Sequence, residues 1–179
     1  MKTKYIVGAS VLVGMGLLLN SCASKQIPEK ATAVQNFDKE KYLGKWYEIA
    51  RLDFVFEKGL DNTTAEYSLK DNGMIKVDNK GYNIKKDKWE QSIGKAKFAG
   101  DENVGMLKVS FLGPFYAAYN VIAIDDHYKY ALVAGKNLDY MWILSREKTI
   151  PANIKDEYLK KAKDIGYNTA DLIWVKQDK

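Results

Sequence analysis

Few side chains of this 179-residue chain could do covalent or metal chemistry, because it contains one cysteine, Cys22, and one histidine, His127. A single cysteine excludes an intrachain disulfide framework, and the common zinc sites need two or more histidine or cysteine ligands. A serine–histidine pair could form only through His127, which falls in a predicted turn and is expected to be exposed. We therefore predict a protein that is not an enzyme and that has no metal site and no cofactor.

Cys22 follows a stretch typical of a removable signal peptide: Lys2 and Lys4, then apolar or small residues over 5–19. That stretch is short for a spanning helix, which needs about 20 apolar residues. The segment Leu19-Asn20-Ser21-Cys22 resembles the bacterial lipobox, which implies cleavage before Cys22 and acylation of its thiol and new amine. Several acyl chains would hold the protein stably on a bilayer. The alternative is an ordinary secretory signal and a buried, free Cys22.

These features divide the chain into a lipoprotein signal peptide at 1–21, a lipidated tether at 22–36 and a folded domain at 37–179. The tether assignment depends on the polar, aperiodic composition of 24–36. Ala23 follows the cysteine, and by resemblance to sorted bacterial lipoproteins the absence of aspartate there implies the outer membrane of a Gram-negative bacterium. We expect the anchored protein to face the periplasm.

Short β-like runs separated by turn signals dominate the folded domain. Asp71-Asn72-Gly73 between two such runs predicts a hairpin. Eight successive runs suggest an up-and-down barrel or a sandwich. The runs lie near residues 45–54, 63–70, 74–84, 89–99, 104–112, 117–125, 129–136 and 140–146.

A helix after Pro151 ends near Gly166, and a short strand follows at 172–175. Strands over 119–124, 130–134 and 140–144 are apolar on both faces, so each face must be covered. A barrel interior can cover one face and the helix the other. We therefore predict an all-β fold: an eight-stranded antiparallel up-and-down barrel with one external C-terminal helix and a short final strand.

Three motifs resemble those of the lipocalin family. Gly44-Lys45-Trp46 matches its G-x-W motif, and the segment 140–146, which ends in Arg146, matches its third motif. Residues 124–128 take the place of its T-D-x-x-Y motif, with Ile124 in place of threonine. Over residues 35–175 the chain is similar to the branch of bacterial outer-membrane lipoproteins and apolipoprotein D.

The G-x-W motif has a structural interpretation of its own. Trp46 is expected to plug the closed end of the barrel, with Arg146 lying over the ring as a cation–π partner and donating to backbone carbonyls. Arg51 and Arg146 are the only arginines beside 26 lysines, which indicates that planar geometry matters at Arg146.

An eight-stranded barrel is wide enough to hold one small ligand. Alternation from Trp46 points Glu48, Ala50 and Leu52 inward, and small residues such as Ala50 and Ala123 are expected to leave room in the cavity. An inward carboxylate needs a partner or water, so we expect Glu48 to lie near a polar head group. The resemblance implies four further ligand-contacting residues, Tyr67, Asn79, Tyr119 and Trp142.

The leading hypothesis is a membrane-anchored protein that binds and carries or stores fatty acids, lysophospholipids or similar amphiphiles. The alternatives are an envelope interaction or structural protein with a filled barrel and, less favoured, a lipocalin-type enzyme. The expected partners are the lipid ligand and the bilayer, and the resemblance leaves a homodimer open. Basic residues are dispersed among acids, although the net charge is +5, so we expect no nucleic-acid partner.

Overall fold

The structure, a computed structural model, describes residues 26–179. The signal peptide and the acylation site predicted at Cys22 lie outside the described residues. Within them, no helix is long and apolar enough to cross a membrane.

Nine strands and three short or medium helices follow one another along residues 26–179. Their order and bounds are α1 (Lys39–Tyr42), β1 (Gly44–Leu52), β2 (Leu60–Leu69), β3 (Ile75–Asn83), β4 (Lys88–Phe98), β5 (Met106–Leu112), β6 (Phe115–Ile124), β7 (Tyr130–Ala134), β8 (Met141–Ser145), α2 (Ala152–Ile165), the 3₁₀ helix η1 (Thr169–Asp171) and β9 (Leu172–Trp174).

Strands β1 to β8 close into a barrel, because β1 pairs with β8 along one edge and with β2 along the other. All pairings between consecutive strands are antiparallel, and the short β9 pairs with the end of β1 outside the closed ring. The predicted eight-stranded barrel with one external helix and a final strand is confirmed.

Local signals in the sequence account for the turns and for the helix ends. The predicted hairpin joins β2 to β3, and Gly73 there has the left-handed φ of +77° that the turn requires. Pro151 precedes the first residue of α2, and Gly166 ends the helix with φ +116°. Tyr158 and Ala162 on the apolar face of α2 are buried against the outside of the barrel.

Two apolar clusters share the barrel wall. The inner one lines the interior of the barrel and includes Trp46, Tyr67, Val77 and Leu144, with Trp142 partly buried beside it. The outer cluster packs between the barrel and α2; its members on the wall include Ile49, Ala50, Leu52, Ile122, Leu132, Met141 and Ile143.

The predicted inward positions of Ala50, Leu52 and Ala123 are wrong, because these side chains belong to the outer cluster. Bulges cause the change: the register shifts between Glu48 and Ala50 on β1, and between Val121 and Ala123 on β6. An extra residue in a strand reverses the alternation beyond it. Glu48 and Val121 therefore keep their predicted inward orientation, and the residues after the bulges do not.

Residues 26–36, the described part of the expected tether, lie along the barrel wall. Ala31 and Ala33 are buried, and the backbone of Val34 bonds with Val121 and Gly105. Packing of the folded body therefore begins before Phe37, the expected domain boundary.

Candidate functional site

One end of the barrel is closed by Trp46 and Arg146. Trp46 is fully buried and donates from Nε1 to the carbonyl of Tyr42 at 2.9 Å. The Arg146 guanidinium carbon lies 3.8 Å from the centroid of the indole ring. Its three nitrogens donate to five backbone carbonyls, those of Lys41, Tyr42, Leu43, Lys45 and Tyr128.

Three tyrosines form the floor of the interior above this plug. The hydroxyl of Tyr119 lies 2.6 Å from that of Tyr42 and accepts from that of Tyr67 at 2.9 Å. Burial raises the pKa of all three phenols, so they stay neutral at physiological pH. Three hydroxyl protons serve two bonds within the chain, which leaves one proton to donate to another acceptor.

The interior differs between its two halves. Near the plug the inward side chains are buried, as at Ile75, Val77, Ala96 and Leu107. Toward the other end, solvent reaches inward-facing positions on several strands: Asn79, Ser92, Val109, Ala117 and Trp142 are half-buried or exposed. The interior is thus packed at the closed end and more accessible to solvent toward the other.

A buried ion pair lies on β1 inside the barrel. The bulge that turns Ala50 outward also turns Arg51 inward, and its Nη1 donates to Oε1 of Glu48 at 2.7 Å. The second terminal nitrogen donates to the carbonyls of Glu57 and Leu60 at 2.8 and 2.9 Å. Arg51 is 1% exposed, and its buried Nε has no hydrogen-bond partner within the described residues.

Glu57 brings a second carboxylate to the same guanidinium from the loop between β1 and β2. Its Oε2 lies 3.8 Å from Nε of Arg51 and accepts from the indole Nε1 of Trp142 at 3.2 Å. Burial, and secondarily the charge of Glu48, raise the pKa of Glu57 to about 8. Burial also raises the pKa of Glu48, against the opposing effect of Arg51. The polar cluster of Glu48, Arg51 and Glu57 therefore holds a proton near neutral pH.

Aromatic rings surround Trp142 at the open end. Phe54, on the same loop as Glu57, meets the indole edge-on at 5.6 Å between centroids, and Tyr140 stacks on it at 6.4 Å. Tyr119 also stacks on the indole, at 6.4 Å between centroids. Trp142 thus contacts both the aromatic rings at the open end, Phe54 and Tyr140, and Tyr119 of the tyrosine floor.

Asn79 faces the interior from β3, and its buried Oδ1 has no hydrogen-bond partner within the described residues. An acceptor left unpaired in a cavity is costly unless a ligand or water donates to it. Of the five side chains expected to contact a ligand, Tyr67 and Tyr119 lie at the floor, Trp142 at the mouth, and Glu48 in the polar cluster.

Sequence reasoning missed Arg51 and Glu57 as interior groups. The rarity of arginine was a signal for Arg51, but simple alternation pointed it outward. Glu57 lies in a loop, where no periodicity applies. His127, by contrast, is exposed in the turn after β6, as expected.

Outside the barrel, a depression of about 430 Å³ lies over β1 and β2. Its lining includes four lysines, Lys45, Lys80, Lys148 and Lys179, so it is a basic surface rather than an apolar one. Among residues 26–179, no three histidine, cysteine or acidic side chains are grouped to hold a metal ion.

Comparison with known proteins places this geometry in a family. Residues 37–177 match the family model described as a lipocalin-like domain. The chain is 52% identical over 165 residues to outer membrane lipoprotein Blc of Citrobacter freundii, covering 92% of this chain and 93% of that protein. It is 51% identical to the protein of the same name from Escherichia coli K12, over 89% and 90% of the two chains.

The solved structure of insecticyanin from the tobacco hornworm Manduca sexta superposes with a TM-score of 0.67 at 24% identity. The match covers 82% of this chain and 84% of that one. At this level of identity the likeness concerns the fold alone.

Proposed function

This chain belongs to the lipocalin family, and from that premise we propose that it is an acylated outer-membrane protein that binds a single-chain amphiphile, a fatty acid or lysophospholipid, in its barrel. The observation that carries the proposal is the interior itself, packed at the plug and open to solvent at the other end. The names of the bacterial relatives support the outer-membrane location and the lipid anchor. The protein is proposed to carry or store lipid and to catalyse no reaction.

The acyl chain would be held by burial against the inward apolar side chains of the inner cluster. Each methylene removed from water contributes about 0.8 kcal/mol. A chain of a dozen or so methylenes therefore supplies ample free energy even after the cost of immobilising the ligand. At the floor, Tyr67 and Tyr119 would border the acyl chain, and the leftover hydroxyl proton belongs to Tyr42 or Tyr119, because Tyr67 donates its own to Tyr119.

The polar head would lie at the cluster of Glu48, Arg51 and Glu57 beneath the mouth. The unused Nε of Arg51 is a charged donor in a largely desolvated place, where a carboxylate or phosphate oxygen makes a strong bond. Entry of an anionic head is helped when Glu57 is protonated, because the cluster then carries no net charge. With the pKa of Glu57 at about 8, this state is well populated at neutral pH.

Trp142→Ala is expected to weaken binding of a fatty acid or lysophospholipid by about 1–3 kcal/mol, the contribution of an aromatic wall. It should also remove most of the ligand-induced change in tryptophan fluorescence, since Trp142 lines the cavity and Trp46 is sealed in the plug. The fold should survive, because Trp142 borders solvent-accessible space. Isothermal titration and thermal melts measure the two effects.

The matched control is Trp174→Ala, which removes an exposed indole on the outer strand β9. It should leave both the affinity and the quenching unchanged. Unchanged affinity in Trp142→Ala together with a collapse in stability would mean that Trp142 is packed core, which is the filled-barrel alternative. Native mass spectrometry of protein purified from membranes tests the same point through co-purified lipid.

Cys22→Ser is expected to move the protein from the outer-membrane fraction to the soluble periplasm, because the hydroxyl of serine is not a substrate for lipoprotein acylation. The measurement is fractionation followed by immunoblotting. A variant still bound to the membrane after a high-salt wash contradicts the acyl-anchor proposal. Ser24→Ala, two residues away, serves as the control and should stay in the membrane.

A further inference from the structure

The large apolar side chains most exposed to solvent are concentrated at one end of the molecule. Within residues 26–179, four exceed 70% exposure: Val55 and Phe56 at 77% and 85%, and Leu112 and Phe115 at 75% and 74%. Val55 and Phe56 lie in the loop between β1 and β2, and the other two flank the turn between β5 and β6. We call these four residues the apolar rim.

The topology places both loops of the apolar rim at the open end. In an up-and-down barrel the connections β1–β2, β3–β4, β5–β6 and β7–β8 lie at the end opposite to α1 and the Trp46 plug. Ile84 in the β3–β4 connection is also more than half exposed. The same hairpin carries Lys85, Lys86 and Lys88 against Asp87 and Glu90, with Lys86 paired to Glu90, which leaves one positive charge in excess. Exposed apolar groups clustered beside lysines are typical of surfaces that meet anionic lipid.

The N-terminal segment runs toward the same end. Phe37 bonds with Asn103 in the β4–β5 connection, at the closed end, and Val34 bonds with Val121 partway along β6. At the start of the described chain, the Gln26 carbonyl accepts from the Asn120 side chain at 2.8 Å.

That same Asn120 amide donates to the carbonyls of Ala134 and Gly135, at 3.2 and 3.1 Å, where β7 ends and the open-end β7–β8 connection begins. Read from Phe37 back to Gln26, the chain therefore passes from the plugged end of the barrel to the middle of β6, level with the end of β7.

Chain length then limits where an acylated Cys22 can be. Cys22 precedes Gln26 by four residues, which span at most about 14 Å when fully extended. The nine residues of β1 alone extend over roughly 30 Å. An anchor tied to Gln26 by so short a link lies within about 14 Å of the point where the chain meets Asn120 and the start of the β7–β8 connection.

We propose that the open mouth of the barrel faces the outer membrane, with the apolar rim inserted into the lipid surface that holds the acylated Cys22. This proposal rests on the proposed function only in taking Cys22 as the anchor. The occupant of the apolar rim is the bilayer, because the chain runs from the plug in the direction of the open end with Cys22 within about 14 Å of Gln26, and because the rim is apolar and lies beside the lysines of the β3–β4 hairpin. A lipid ligand would then pass between bilayer and cavity without crossing water.

The test uses the acylated full-length protein in vesicles of phosphatidylethanolamine and phosphatidylglycerol. Because acylation blocks Cys22, an introduced cysteine is the only free thiol for an environment-sensitive fluorophore. Phe56→Cys places the label on the apolar rim, and Asp71→Cys places it on the exposed β2–β3 turn at the closed end. We expect bilayer-resident spin-labelled lipid to quench the label at 56 at least threefold more than the label at 71.

Equal quenching at both positions, or stronger quenching at 71, overturns the proposal. A second measurement uses soluble Cys22→Ser protein, whose sedimentation with the same vesicles should fall at least tenfold when the four rim residues are replaced by serine. The proposal is also contradicted if the sedimentation does not fall, or if the protein with an intact rim forms a dimer instead of binding the vesicles. Fatty-acid affinity of the rim variant, measured in solution, keeps this outcome separate from the proposed function, which requires only that the cavity still binds.

Discussion

Trp46→Ala is expected to lower the free energy of unfolding by about 3–5 kcal/mol, the range for large buried aromatic side chains. Trp46 is fully buried between the Tyr42 ring, at 5.0 Å between centroids, and the guanidinium of Arg146. Its removal opens a cavity at the closed end and leaves the Tyr42 carbonyl without the indole donor. Urea unfolding followed by circular dichroism measures the loss.

Trp89→Ala is the control for this change, because Trp89 is an exposed tryptophan on β4. It should cost about 1 kcal/mol or less, as most exposed substitutions do. Arg146→Lys should lie between the two, since an ammonium group cannot stack on the indole and donate to five carbonyls at once. If Trp46→Ala and Arg146→Lys both unfold at the urea concentration of the wild type, the plug does not stabilise the fold.

The barrel could be predicted from the sequence because its signals are local. The hairpin at 71–73, the glycine at 166 and the apolar stripe of the helix each fix one connection or one face. Strands that are apolar on both sides required a cover outside the barrel as well as inside. The pairing of Trp46 with Arg146 could be inferred from a motif and from the scarcity of arginine.

The polar cluster could not be predicted, because it depends on a bulge. On β1 the register shifts between Glu48 and Ala50, and since Ile49 and Ala50 are both apolar, alternation carries no sign of where the extra residue lies. The bulge turns Arg51 into the barrel, and the loop then brings Glu57 to it from outside the strand pattern. A buried glutamate at 48 implied a partner, but the sequence did not identify it.

Arg51→Met is expected to lower the free energy of unfolding by about 3–5 kcal/mol at pH 8, because it leaves an uncompensated buried charge. Glu48 is 6% exposed and its hydrogen bond from Arg51 is the contact that neutralises it. The carbonyls of Glu57 and Leu60 also lose their donors. Arg51→Lys, which keeps the charge, should recover part of the loss.

The pH dependence of Arg51→Met separates lost charge pairing from lost packing. Without the guanidinium, burial raises the pKa of Glu48 further, so the folded state keeps its proton to a higher pH than the unfolded state, where the pKa is about 4.3. Stability conferred by that proton is present below the unfolded pKa and is lost as the pH rises through the folded pKa. The loss in free energy of unfolding, relative to wild type, should therefore be smaller at pH 5 than at pH 8. Adding Glu48→Gln to the Arg51→Met protein should restore about half of that free energy at pH 8. A deficit that is the same at both pH values, and that Glu48→Gln leaves unchanged, means that Arg51 stabilises the barrel by packing alone.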